Sequence, residues 1–266
     1  MTESTLVVEP SGGVLSLRMN RPQALNAMNG AMLLALRRAF ESASRDREVR
    51  AVVLTGEGRA FSSGGDVKEM AERAQAGDAD LGADLRQHYL PMVRAIRACP
   101  KPVIAALNGT AAGAGLSLAL ACDLRIAADD ARLSVAFVRI GLVPDAGGLF
   151  FLTRLCGFGK AMELALTGET VDAAQALAIG LVNAVVPGGQ LMDAALERAR
   201  AFSAGPAETY ALIKRGLERA LSLDLEQALE MEAQLQTLAG RTADHREAVR
   251  AFVDKRQPAF GLKTQS

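Results

Sequence analysis

The feature that most constrains the fold is a repeated pattern in which an apolar run stops at a glycine turn and a helical run follows. Three copies are present, at residues 49–55 before a helix from about Val67, at 103–107 before 113–121, and at 134–140 before 146–155. Strands and helices that alternate in this way predict a mixed α/β body with parallel strands.

The glycine turns also predict an anion site. The first N–H groups of a helix have no intrahelical acceptor, and glycine lets another group approach them closely. Of the acidic residues between Gly113 and Gly148, only Asp145 stands within a turn. One carboxylate is therefore expected to face a set of free backbone amides.

Local patterns extend the prediction along the first part of the chain. Residues 6–9 and 14–19 predict a β-hairpin, and Asn29 and Asp66 are each expected to cap a helix. The other predicted elements are a surface loop at 76–81, a helix at about 84–98, short helices at 160–166 and 171–179, and a strand at 181–186.

From Gln190 onward the pattern is helical almost without a break. The predicted helices are residues 190–203, 206–221, 223–239 and 242–256. An apolar stripe, typical of a core or subunit contact, is formed by Leu225, Leu229, Met231, Leu235 and Leu238. At 266 residues the chain fits one large domain with an appended helical piece. We therefore expect a core in residues 1–189 and a helical region in residues 190–266.

Composition disfavours several classes of function. The 30 Lys and Arg residues balance the 30 Asp and Glu residues, which argues against a general attraction to nucleic acid or to an anionic membrane. The sequence contains neither GxGxxG nor GxxxxGK[ST], the simplest dinucleotide and nucleotide motifs. It has no signal-peptide pattern at its start and no apolar run of about 18 residues, so a cytoplasmic location is expected.

Cysteine and histidine point away from a metal site. Cys99, Cys122 and Cys156 are odd in number and lack CxxC spacing, so we expect buried, reduced thiols. His88 and His245 are isolated in the sequence, which leaves no plausible zinc or Cys–His site. No metal is therefore expected.

Several short motifs lie in a fixed order along nearly the whole chain. They are NRP at 20–22 with LNAM at 25–28, AFSSGGD at 60–66, KPVIAA at 101–106, NG at 108–109, AGAG at 112–115, CD at 122–123, GLVPDAGG at 141–148, TG at 167–168 and AFVDKR at 251–256. Together they resemble the crotonase (enoyl-CoA hydratase/isomerase) superfamily. The match is specific because so many separate motifs occur in the right order.

The resemblance implies both a fold and a substrate. The fold is a ClpP-like spiral of β-β-α turns, followed by a C-terminal helical region that assembles trimers, often paired into hexamers. The substrate is an acyl-CoA thioester, so CoA is part of the substrate and no separate cofactor is expected. By position, the two amides that stabilise the thioester oxygen in this superfamily fall on Gly65 and Ala114.

The resemblance also implies binding residues. The CoA part is expected to bend around the loop at residues 59–66, with contacts from Arg21, Ala24, Ala60, Ser63, Gly64 and Asp66 and from Phe252 and Lys255 of a neighbouring subunit. The acyl group is expected to lie near Gly113 and in a pocket lined by residues 81–90, 135–137, which include Phe137, and 149–151, together with Leu142.

One departure from the superfamily pattern bears on the reaction. Hydratases of this superfamily carry two catalytic glutamates, and the aligned positions here are Ser117 and Phe137, so the two-glutamate addition of water is disfavoured. Asp145 instead occupies the turn where the isomerase branch places its acid. Residues 135–148 and 238–260 are most similar to the 1,2-epoxyphenylacetyl-CoA isomerases of phenylacetate degradation, whose relatives also shift double bonds in 3-enoyl-CoAs.

Several alternatives remain open. An Asp in such a turn is more often a helix N-cap than a catalyst, although the resemblance favours the catalyst. A hydratase that uses another acid is the nearest enzymatic alternative. An Asp nucleophile, as in the hydrolase and dehalogenase branch, is weakened by the absence of Trp. RNA binding is weakened by the zero net charge, and an inactive scaffold is weakened by the presence of Asp145 together with intact glycine turns.

Overall fold

The computed structural model describes residues 4–75, 77 and 80–261. Its strands form two sheets. The larger sheet has the order β1-β2-β3-β5-β7-β10, and the smaller one has the order β4-β6-β8-β9. The strands are β1 (Leu6–Ser11), β2 (Val14–Met19), β3 (Ala51–Gly56), β4 (Ala60–Ser62), β5 (Val103–Leu107), β6 (Thr110–Ala112), β7 (Leu124–Ala128), β8 (Arg132–Ser134), β9 (Thr170–Asp172) and β10 (Ala184–Val186).

Eleven α-helices surround the sheets in the described part of the chain. They are α1 (Gly30–Arg45), α2 (Val67–Gln75), α3 (Leu81–Asp84), α4 (Leu90–Ala98), α5 (Ala114–Ala121), α6 (Gly148–Thr167), α7 (Ala173–Ala178), α8 (Leu191–Ser203), α9 (Ala207–Ala220), α10 (Leu225–Gly240) and α11 (Ala243–Val253). A π-helical turn, Leu85–Tyr89, joins α3 to α4. Short 3₁₀ turns lie at Pro22–Ala24, Ala136–Ile140 and Gly188–Gln190.

The chain repeats one β-β-α unit. A strand of the larger sheet is followed by a short strand of the smaller sheet and then by a helix, as in β3-β4-α2 and β5-β6-α5. Glycine permits the bend between the two sheets, because a Cβ on Gly56 would collide with the carbonyl oxygens of Ala60 and Phe61. The predicted parallel α/β spiral is therefore confirmed, with β1 as an antiparallel edge strand against β2.

The core lies between the larger sheet and the helices on its two faces. All residues of β3 and β5 are buried, as expected for apolar strands covered on both sides. Helix α5 is buried along its whole length. Helix α8 packs against β2, β3, β5 and β7 and buries Leu191, Ala195 and Ala199. Helix α8, although it lies in the segment predicted to be an appended helical region, therefore covers the larger sheet.

Most predicted elements are confirmed. The hairpin forms, β3 and β5 lie at the predicted strands, and the Asn29 side chain accepts a hydrogen bond from the Met32 amide at 3.0 Å. The helices predicted at 146–155 and 160–166 are the two parts of α6, which departs from helical geometry at Gly157. In the loop predicted at 76–81, residues 76, 78 and 79 lie outside the described residues, and Leu81 begins α3.

Two predictions were wrong. Residues 134–140 do not form a strand, because β8 ends at Ser134, whose Oγ donates to the Gly168 carbonyl oxygen at 2.9 Å. The chain then coils into the 3₁₀ turn Ala136–Ile140, which Gly141 closes at φ +70°. Residues 171–179 are not one helix, since Thr170–Asp172 pairs with β8 before α7 begins.

The C-terminal helices leave an apolar surface on this protomer. Within α10, Leu225 is 71% exposed and Leu229 is 49% exposed, whereas Met231 and Leu235 are half-buried, so the described part of this chain covers the predicted apolar stripe only in part. The oligomerisation role of residues 190–266 stays a prediction. None of the helices in the described ranges has the length and apolar character of a membrane span. Cys99 and Cys122 are buried free thiols as predicted, whereas Cys156 is only half-buried.

Candidate active site

A cavity of about 390 Å³ opens where the β4–α2 loop, the start of α5 and the segment before α6 meet. Its polar and backbone groups come from Ser63, Gly64, Gly65, Asp84, Tyr89, Gly113, Ala114, Arg139 and Asp145. Apolar side chains, including Phe137 and Leu142, cover most of the remaining wall. A second cavity of about 330 Å³ adjoins it and shares seven of its lining residues: Val67, Met70, Leu81, Asp84, Tyr89, Ile140 and Leu142.

Two glycine turns bring two free amides side by side. Gly64 has φ +106°, and a Cβ on it would stand 3.4 Å from the Ala114 nitrogen. The Met28 amide donates to the Gly64 carbonyl oxygen at 2.8 Å, and the Asp66 amide donates to the Met28 carbonyl oxygen at 3.1 Å, which fixes Gly65 between them. Among the described residues no acceptor pairs with the Gly65 or Ala114 N–H.

The Ala114 amide also benefits from its position in the helix. Ala114 is the first residue of α5, and Gly113 before it has φ +51°. The first N–H groups of a helix carry a partial positive charge and favour an anion. The turn at Gly113 therefore aims an electropositive helix end at the cavity.

Asp145 lines the same cavity and lies in the chain just before α6. Gly147, not Asp145, is the N-cap of α6, and no side chain bonds to the first amides of that helix. Asp145 contributes only its backbone oxygen, which accepts from the Gly148 amide at 2.7 Å. Its Oδ1 is buried and has no hydrogen-bond partner among the described residues. The N-cap interpretation of Asp145 is therefore excluded.

The surroundings of Asp145 set its proton affinity. Burial disfavours the charged carboxylate, and the nearby carboxylate of Asp84 adds to this effect. Together they raise the pKa of Asp145 from its ordinary value of 3.8 to about 6. Such a group can take and return a proton near neutral pH.

The two positions aligned with the hydratase glutamates carry no acid. Ser117 is buried in α5, and a Cβ on Gly148 would stand 2.6 Å from its hydroxyl oxygen. Phe137 is buried in the 3₁₀ turn and presents its ring to the cavity. Asp145 and Asp84 are thus the carboxylates that line this cavity in the described part of the chain.

The residues predicted to bind CoA lie around the β4–α2 loop. Arg21 Nη1 is 2.8 Å from Asp66 Oδ2, and Asp66 Oδ1 also accepts from the Lys68 amide at 3.2 Å, so it caps α2 as predicted. Ser63 lines the cavity, and its Oγ donates to the carbonyl oxygen of Ala24 at 3.4 Å. Ala60 is buried in β4.

Three other predicted residues or segments lie away from the cavity in this protomer. Phe252 is 85% exposed at the end of α11, and neither it nor Lys255 lines the cavity. Their predicted contact comes from a neighbouring subunit and stays a prediction. Residues 149–151, predicted to line the acyl pocket, are absent from its described wall, because the first turn of α6 directs Phe150 and Phe151 toward α9.

Three polar cavity residues, Asp84, Tyr89 and Arg139, were not singled out from the sequence. Asp84 Oδ1 is 2.5 Å from Arg73 Nη1 and 2.9 Å from His88 Nδ1. The spacing of four residues between Asp84 and His88 on a predicted helix is a signal that indicates this pair. Tyr89 has no comparable signal, because the π-helical turn Leu85–Tyr89 changes the register that an α-helical pattern assumes.

Comparison with known proteins identifies the family. The family model described as enoyl-CoA hydratase/isomerase matches residues 9–263. The chain is 43% identical over 260 residues to a protein of Rhodobacter capsulatus named "probable enoyl-CoA hydratase", covering 98% of this chain and 99% of the relative. The chain belongs to the enoyl-CoA hydratase/isomerase family.

Further relatives within the family include both an isomerase and a hydratase. The chain is 41% identical over 248 residues to the 1,2-epoxyphenylacetyl-CoA isomerase of Escherichia coli, covering 93% of this chain and 95% of that protein. The crystal structure of an enoyl-CoA hydratase from Mycobacterium smegmatis superimposes with a TM-score of 0.88 at 36% identity, covering 96% and 98% of the two chains. These similarities confirm the crotonase fold and leave the choice between hydratase and isomerase open.

Proposed function

We propose that this family member is an acyl-CoA isomerase with one acid/base residue. It would shift a double bond from the 3,4 to the 2,3 position of an enoyl-CoA, or convert 1,2-epoxyphenylacetyl-CoA to oxepin-CoA. The observation that carries the proposal is the carboxylate of Asp145, whose buried Oδ1 has no hydrogen-bond partner among the described residues, in the same cavity as the free amides of Gly65 and Ala114.

The proposed mechanism needs one proton carrier. The thioester oxygen accepts hydrogen bonds from the Gly65 and Ala114 amides, which stabilise the negative charge that forms when the α-carbon loses its proton. Asp145 takes that proton from C2, the double bond moves, and the carboxyl group, whose proton exchanges with solvent before the second transfer, delivers a proton to C4. The residue ends the cycle ionised, as it began. In the epoxide reaction the same carboxylate and amides would assist ring expansion.

CoA binding is proposed on the opposite side of the amides. The β4–α2 loop, Arg21 and Ala24 would hold the adenine and pyrophosphate, with Phe252 and Lys255 supplied by a neighbouring subunit of a trimer or hexamer. The Arg21–Asp66 ion pair supports this by keeping the loop in one conformation before substrate arrives.

A substrate panel in deuterated water tests the proposal. The protein is incubated with 3-hexenoyl-CoA, crotonyl-CoA and 1,2-epoxyphenylacetyl-CoA, and products are analysed by mass spectrometry. We expect the 3-enoyl double bond to move with deuterium incorporation, and crotonyl-CoA to gain no water. Conversion of crotonyl-CoA to 3-hydroxybutyryl-CoA as the main reaction would contradict the proposal.

Hydratase activity is the second candidate. It is favoured by Asp84, a second carboxylate on the cavity wall, and by the name of the relative from Rhodobacter capsulatus. Asp84 is paired with Arg73 and His88, whereas Asp145 Oδ1 has no partner among the described residues. Because the Asp84 carboxylate is already engaged by these two side chains, we place it second as a proton acceptor.

The pH dependence of the isomerase follows from the pKa of Asp145. A base must be ionised to act, so kcat/KM should level off above pH 6 and fall tenfold per unit below it, matching a pKa of about 6. Asp84→Asn should move the inflection to lower pH, because it removes one cause of the raised pKa. The measurement is kcat/KM for 3-hexenoyl-CoA from pH 4.5 to 8.5. An inflection at the ordinary Asp value of 3.8, seen as a flat profile over this range, would contradict the prediction.

A further inference from the structure

Tyr89 is a buried polar side chain that the proposed mechanism does not use. It ends the π-helical turn, is 4% exposed and lines both adjoining cavities. Its hydroxyl oxygen lies 3.0 Å from the point where a Cβ on Gly65 would stand. Among the described residues the hydroxyl has no hydrogen-bond partner.

The Tyr89 hydroxyl is available as a donor. Burial, and next the charge of Asp145, raise the pKa of Tyr89 above its ordinary value, so it stays protonated at any working pH. The hydroxyl faces the cavities, and a donor placed there favours an occupant that supplies an acceptor. The adjacent Met70 methyl, which also occupies the space beside Gly65, offers no acceptor of comparable strength.

The position of Tyr89 determines which part of a ligand it meets. The first cavity holds the two amides and Asp145. The second is lined by apolar side chains such as Met28 and Leu33 and also by charged residues, namely Asp66, Glu69, Arg73, Asp80 and Asp84. Tyr89 belongs to both walls and therefore stands at their junction. An acyl group whose thioester oxygen rests on the amides passes the hydroxyl when its chain or ring extends into the second cavity.

We propose that Tyr89 is a specificity-determining residue whose hydroxyl donates a hydrogen bond to an oxygen atom on the acyl group. The site then selects acyl-CoA esters that carry an epoxide or hydroxyl oxygen close to the thioester over esters with a pure hydrocarbon acyl group. The inference rests on the proposed function, because it takes the cavity to be the acyl-CoA site, and it narrows the substrate class of that site.

A binding comparison tests the proposal without catalysis. The probes are 2-hydroxyphenylacetyl-CoA and phenylacetyl-CoA, which differ by one oxygen atom, and Kd is measured by calorimetry. The wild-type protein should bind the hydroxylated ester about tenfold more tightly, the effect of one net hydrogen bond. Tyr89→Phe should reduce this preference to less than twofold. Tyr210→Phe, which alters the other tyrosine of the chain, should keep it.

A kinetic comparison separates a role of Tyr89 in selecting the acyl group from a general contribution of Tyr89 to activity. In Tyr89→Phe, the ratio of kcat/KM for 1,2-epoxyphenylacetyl-CoA to that for 3-hexenoyl-CoA should fall about tenfold. Equal losses on both substrates would overturn the proposal, as would a wild-type protein without preference between the binding probes, or a variant that keeps the preference. Failure of the isomerase proposal shows instead as absent deuterium exchange in the wild-type protein, which leaves the binding comparison valid.

Discussion

Replacing Asp145 with Asn should lower double-bond isomerisation and solvent deuterium exchange by about 10³-fold. An amide has nearly the shape of the carboxylate but cannot take a proton from C2. No other unpartnered carboxylate lines the described wall of the cavity, since Asp84 is held by Arg73 and His88. The measurement is deuterium incorporation into 3-hexenoyl-CoA by mass spectrometry, together with the Kd of the ester, which should change little.

A measurement of stability shows whether Asp145→Asn loses activity because it unfolds. The folded-state pKa of Asp145 is raised to about 6, so its contribution to stability is fully present below the unfolded value of 3.8 and is lost as pH rises through 6. Asn carries no charge and avoids this loss. Asp145→Asn should therefore be at least as stable as the wild-type protein in urea unfolding at pH 8, and the difference should shrink at pH 4.

Asp84→Asn is the matched comparison, because Asp84 is the other carboxylate on the cavity wall. It should retain exchange to within about tenfold of the wild type at pH 8. Retained exchange in Asp145→Asn, or a loss confined to Asp84→Asn, would assign the proton transfer to the other acid and would favour the hydratase alternative.

The parts of the fold that the sequence predicts are those with a strong local signal. Residues 103–107 form a strand as predicted, because a continuous apolar run between turn residues suits a strand buried on both faces. The run at 134–140 is also mostly apolar, but its residues 136–140 form a 3₁₀ turn. A short apolar run has no period that separates the two states, and the bond from Ser134 to Gly168, a residue distant in sequence, ends the strand.

The site residues also differ in how far the local sequence predicts them. Gly65, Ala114 and Asp145 are predicted from turns and motifs, which are local. Whether Asp145 caps a helix depends on backbone geometry that its neighbours set, since Ala146 at φ +49° and Gly147 at φ +85° place the N-cap two residues after Asp145. The approach of Tyr89 to Gly65 depends on the packing of α3, the π-helical turn and the β4–α2 loop, which no local pattern encodes.

The second large effect is expected from Ala114→Pro, which should lower kcat by about 10²–10³-fold. Proline removes the N–H that the mechanism assigns to the thioester oxygen. Ala114 is the first residue of α5, and proline is tolerated at that position because the N–H there has no intrahelical acceptor. The fold should therefore survive a change that deletes one of the two donors. Activity is measured with 3-hexenoyl-CoA at saturation.

Ala243→Pro is the matched control, because Ala243 is the first residue of α11 and lies away from the cavity. It should keep wild-type activity and show what the backbone substitution alone does to stability.

The infrared carbonyl stretch of a bound thioester gives a readout that a structural defect would not move. In the wild-type protein two donors should shift this stretch to lower frequency, and Ala114→Pro should reverse about half of the shift. A variant that keeps both the shift and the rate would show that the Ala114 amide does not bind the thioester oxygen, and Gly65 would then have to act with a different donor.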